Sequence, residues 1–185
     1  MTTQNSHYDT VPGFAIFRAK SDSDHLTIGL TGINDYLQKI GLSWKATVII
    51  DKDATERKAL LNLGLSYILC EFHVMKIFRP WIKKTFAGGD QLKVMLKIKA
   101  IQRARNQKEV DVATGQLKKL CHVLRKEEFF STFEKNWMSP MWIDGWTDLH
   151  RPGKRLGLFN TYNASETWFR QLLRTFLHGR KPHVG

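Results

Sequence analysis

Apolar positions recur in two distinct rhythms along this chain, and the alternation between them outlines an architecture. Val11 to Ala19 is a short apolar run behind a Pro-Gly turn signal, bounded as a strand is. Leu26, Leu30, Ile33, Leu37 and Ile40 then repeat at helical spacing, which predicts an amphipathic helix over 25–40 closed by Gly41. Ala46 to Ile50 is β-branched throughout its centre and reads as a buried strand ending at Asp51. Asp53 and Glu56 have the spacing of a helix N-terminal capping pair, ahead of Ala59, Leu60 and Leu63. Leu65 to Cys70 reads as another buried strand and Phe72 to Phe86 as another helix, bent or restarted at Pro80. Strands alternating with helices predict an α/β layer with parallel strands.

The rhythm changes after Gly88-Gly89. Residues 90–137 hold no convincing strand, and the stretch Leu92 to Ile101 reads as helix from its Lys, Met and Gln content, although part of it alternates. Residues 137–159 are rich in Trp, Pro and Gly and read as irregular. Trp137, Trp142 and Trp146 in that stretch could stack on bases, but large aromatics in an irregular segment more often plug it onto a core. A last helix begins near Asn163, with Phe169, Leu172, Leu173, Phe176 and Leu177 on one stripe.

Charge sharpens this division. The 185 residues carry 29 Lys and Arg against 17 Asp and Glu, a formal net charge of +12. Residues 76–126 hold 14 basic and 3 acidic side chains, net +11, so nearly all the excess lies in the middle third. A block of that kind suits a polyanion such as DNA, with Lys83, Lys84, Lys93, Lys97, Lys99, Arg103 and Arg105 as candidate phosphate contacts. The alternative is a solvated face. The apolar and aromatic content is too high for a disordered polycation, and no apolar run approaches the ~20 residues of a membrane span. Two cysteines give no disulfide framework and fit a reducing, intracellular compartment.

Two carboxylates stand where chemistry is done in α/β proteins. Asp51 sits where a buried strand runs out, the rim at which open sheets collect ligands. Glu166 extends the apolar stripe of the last helix by one turn, although it also has capping spacing to Asn163. A strand-end carboxylate and a helix carboxylate facing it are hard oxygen ligands suited to Mg2+ or Mn2+ in phosphoryl transfer, a site that needs a third acid. Cys70 and His73 form a C-x-x-H pair of zinc-preferring types. Two ligands do not make a zinc site, and such residues on apolar elements are usually structural.

The segments IIDKDATERKAL, ILCEFHVMKIF and TYNASETWFRQLLRTFLHGRK, in that order, resemble the catalytic domain of Mutator-like element (MULE-type) transposases, a group of DDE transposases. The resemblance covers about Val11 to Lys181. It implies a partial, three-layer ribonuclease H-like α/β fold with a helical insertion before the last helix. The expected organisation is a core over 11–86, a basic helical insertion and Trp-rich segment over 87–159, and a final core helix over 160–181. Asp51 and Glu166, 115 positions apart, take the places of two catalytic metal ligands, with Cys70, His73 and Val74 on the family's C-x-x-H motif. The implied activity is Mg2+-dependent DNA cleavage and strand transfer in the nucleus, with transposon ends and target DNA as partners and room for a homo-oligomer.

Two departures from the family pattern stand out. Thr161-Tyr162-Asn163 replaces the usual Thr-Asn-Asn, and no strand before residues 13–19 is expected to carry the first catalytic Asp. Asp9, Asp22 and Asp24 fall in turns. The chain is therefore expected to be a transposase fragment, truncated at its N-terminus and inactive in cleavage, or else a DNA-binding protein derived from one.

Overall fold

The computed structural model describes residues 2–4, 10–12, 23–42 and 47–149. They form a mixed α/β structure in which helices predominate. The chain divides into two compact units, the first holding the described residues up to Tyr67 and the second those from Ile68 onward.

The first unit opens with β1 (Thr2–Gln4) paired antiparallel to β2 (Thr10–Pro12), Thr3 opposite Val11. A strand therefore does precede residues 13–19, where the sequence reading expected none, but its sequence Thr-Thr-Gln carries no carboxylate and it pairs antiparallel. The remainder of the strand expected over 11–19 lies outside the described residues.

Helix α1 (Ser23–Lys39) follows the predicted stripe, with Leu30 buried and Leu26, Ile33 and Leu37 partly covered, and it packs on α2 (Ala54–Asn62). Ile40, expected on the same stripe, is 52% exposed because it lies past the last helical turn. The helix ends as its sequence demands: Gly41 adopts φ +77°, and the Leu42 N–H reaches back to the Leu37 carbonyl.

Between the two helices runs β3 (Val48–Ile50), which forms a two-stranded parallel sheet with β4 (Tyr67–Leu69). The Val48 N–H donates to the Ser66 carbonyl at 2.9 Å. Strand, helix and parallel strand follow in the predicted order, and the apolar run at Ile50, Ile68 and Leu69 is buried as β-branched and aliphatic residues in a covered sheet should be.

The second unit is an array of helices. α3 (Glu71–Thr85) continues through Pro80 as one helix, so the expected restart there does not occur. α4 (Gly88–Gln102) buries Val94, Ile98 and Ile101, and α5 (Gln107–Val123) buries Val110, Ala113, Leu117 and Cys121. These are the same-face spacings of two helices packed as a hairpin.

α6 (Glu127–Trp137) adds Phe129, Phe130, Phe133 and Trp137 to the core. The segment read as irregular after Trp137 contains one further turn, α7 (Ile143–Trp146). Phe78 of α3 lies at the centre of an aromatic cluster, 4.5 Å from Trp137, 5.9 Å from Phe133 and 5.8 Å from Trp146 between ring centroids. Trp137, Trp142 and Trp146 are buried, so the Trp-rich stretch plugs the core and offers no stacking platform to bases.

Candidate functional site

Asp51 follows β3 directly and is partly buried, at the strand end where the sequence places it. The corner that holds it is built by α2. Asp53 caps that helix, its carboxylate accepting from the N–H groups of Thr55 at 2.7 Å and Glu56 at 3.1 Å. In the usual capping box the third helical residue returns to the cap's own N–H. Here Glu56 reaches two residues further back and accepts from the Asp51 N–H at 3.3 Å.

The Glu56 carboxyl is consequently held in a half-buried, acidic corner. Burial pushes its pKa up from the ordinary carboxylate value, the Asp51 N–H pulls it down, and the charges of Asp53 and Asp51 push it up again, so the net direction is upward. Sequence reasoning found Asp53 and Glu56 as a capping pair and missed that the second member fixes the backbone of Asp51.

Asp51 is chemically suited to be one oxygen ligand of a hard cation. Glu166, its expected companion, lies outside the described residues. Among the described residues no group of three or more His, Cys, Asp and Glu is placed to hold a metal ion. Asp51 by itself supplies one of the several oxygen ligands that a two-metal centre needs.

Cys70 is fully buried, at the residue immediately before α3. His73, one turn on, is partly buried with its ring edge-on to Phe72 at 5.3 Å. Both sit at the start of the helix that carries the aromatic core. The second cysteine, Cys121, is also buried, and burial followed by the Glu127 charge pushes its thiol up to about 11.

The seven basic candidates fall into different electrostatic settings. Lys83 and Lys84 are exposed in the last turn of α3, and Arg105 is exposed beyond α4. Lys93 pairs with Asp90 on its own helix at 2.8 Å, and Lys97 donates to the Gln116 side chain across the α4–α5 hairpin at 2.9 Å. Lys99 and Arg103 both face Glu71, at 2.6 Å and 4.0 Å. The charge run is one continuous block in sequence. In space it is a set of exposed cations and a subset already engaged by a carboxylate from another helix.

Further along, a recess of about 470 Å³ beside α5 and α6 is lined by Lys118, Lys119 and His122, but also by Glu127 and Glu134. His122 Nδ1 lies 2.9 Å from the Glu127 carboxylate, and the two lysines of the recess are matched by its two glutamates, so the positive charge on this side is largely balanced. No helix among the described residues is long and apolar enough to cross a membrane. No protein-family model, curated protein or solved structure matches the chain.

Proposed function

We propose that the chain is a DNA-binding protein related to the MULE-type DDE transposase domain, its helical second unit contacting phosphates. The observation that carries the reading is the set of exposed cations on consecutive helices of that unit: Lys83 and Lys84 on α3, Lys93 on α4 and Arg105 after it. Exposed cations spread over neighbouring helices can neutralise several phosphates at once, each releasing condensed counterions.

The finer architecture proposed with it is ribonuclease H-like. The parallel β3–α2–β4 unit with a carboxylate at the end of β3, followed by a helical basic segment, supports it. In this reading Asp51 and Glu166 descend from ligands of Mg2+, which would supply charge stabilisation at a phosphodiester.

Anisotropy of a labelled duplex of about 20 base pairs tests the proposal. Affinity should fall by roughly tenfold or more between about 50 and 200 mM salt, and Lys83→Gln with Lys84→Gln should reduce the salt slope by about 1 to 2. Affinity indifferent to salt overturns it. The chain is proposed to be inactive in cleavage, and plasmid nicking in Mg2+ that disappears in Asp51→Ala would overturn that part of the reading.

A further inference from the structure

Glu71 is the first residue of α3, and its carboxylate crosses to the far end of α4, 28 positions away in sequence. It accepts from Lys99 Nζ at 2.6 Å and stands 4.0 Å from the Arg103 guanidinium. Its side chain is only 21% exposed, that of Lys99 35% and that of Arg103 53%. Lys99 and Arg103 are one helical turn apart on the same face, so one anion can bridge both. The carboxylate does so from the inner side and leaves the guanidinium open to solvent.

We infer that Lys99 and Arg103 form a phosphate-binding site that Glu71 fills in the DNA-free protein, and that a DNA phosphate competes with the carboxylate for it. The inference rests on the DNA-binding reading and deepens it. A DNA phosphodiester, like a carboxylate, carries one negative charge on two strongly accepting oxygens, and it can take the planar Arg103 fork bidentately while still accepting from Lys99. Both cations have long, flexible stems, so the exchange needs side-chain rotation and no movement of helices.

Glu71 differs in kind from Asp90. The Lys93–Asp90 pair lies within one helix, with the Lys93 side chain 64% exposed, and breaks into water readily. The Glu71 contact is more covered and joins two helices. Glu71 is therefore a positioning residue that holds two of the seven cations back and lowers the affinity for DNA in general.

The test uses the full chain, a labelled duplex of about 20 base pairs and a salt titration. Glu71→Gln should bind about threefold to tenfold more tightly at low salt, with a log–log salt slope steeper by roughly 1 to 2. Lys99→Gln in the wild-type background should cost less than about twofold, whereas Lys84→Gln should cost more, and Lys99→Gln should cancel the gain of Glu71→Gln. A purely structural Glu71 would lower thermal stability and leave DNA affinity and salt slope where they were. Wild-type binding that is salt-dependent but unchanged in Glu71→Gln overturns this inference alone. Loss on Lys99→Gln in the wild type equal to that on Lys84→Gln also overturns it, without relying on the folding of the Glu71 variant. If neither wild type nor Glu71→Gln binds duplex, the inference falls together with the DNA-binding reading.

Discussion

The Trp146 indole N–H donates to the main-chain carbonyl of Trp137 across 2.8 Å, fastening the single turn of α7 to the end of α6. Both residues are buried, and their rings meet edge to face at 5.7 Å. Trp146→Phe keeps an aromatic ring but deletes the donor of this hydrogen bond. Urea unfolding followed by Trp fluorescence should show a loss of about 1–3 kcal/mol, from the bond and the smaller ring together. Phe78→Ala, which empties the centre of the same cluster, should cost about 3–5 kcal/mol.

Asp53 satisfies two of the amide groups that α2 would otherwise leave bare. Asp53→Ala should destabilise by about 1 kcal/mol, and Asp53→Ser should recover most of it, as thermal melts by circular dichroism would report.

Arg125 stands in the left-handed region, φ 55°, where α5 turns into α6. The Lys126 N–H returns to the Cys121 carbonyl at 2.8 Å and the Arg125 N–H to His122 at 3.0 Å, the closure that Gly41 makes for α1. A side chain at that φ is strained. Arg125→Gly should therefore raise stability by about 0.5–1 kcal/mol, the relief of strain outweighing glycine's greater unfolded-state entropy. A lower unfolding midpoint would refute it.

Glu56 gives the first unit a pH signature. Its carboxyl titrates higher in the folded chain than in the unfolded one, so the folded state binds the proton more tightly. That contribution is complete below the ordinary carboxylate range and is lost as pH rises through the elevated folded value. Glu56→Gln keeps an oxygen to accept from the Asp51 N–H and cannot ionise. Denaturant unfolding between about pH 4 and pH 8 should show wild type losing stability relative to Glu56→Gln as pH increases.

Legibility in the sequence followed the range of the interaction concerned. Leu26, Leu30, Ile33 and Leu37 announced α1, and Val94, Ile98 and Ile101 lie at helical spacing, because periodic burial is written within a dozen residues. Thr2–Gln4 carries no apolar signal, so β1 became visible through its pairing alone. The one turn of α7 hid among Trp, Pro and Gly. At the candidate site, the position of Asp51 was readable from the strand it terminates. The reach of Glu56 past its own cap was not, since it depends on how the corner before α2 folds. Least readable was Glu71: a carboxylate in a first helical turn looks like ordinary dipole complementation, and its engagement of Lys99 and Arg103 needs the hairpin closed.

The helices of the second unit pack on their neighbours in sequence, α3 on α4, α4 on α5 and α5 on α6, through connections of a few residues. Closing such short loops costs little entropy, and arrays dominated by local contacts fold in microseconds to milliseconds. During synthesis each helix therefore meets its partner soon after it emerges. Phe78 adds long-range contacts, since Phe133 and Trp137 are made more than fifty residues after it, while Trp81 stacks on it from within α3. The aromatic cluster is thus the part of this unit that can be completed only once α6 has been synthesised.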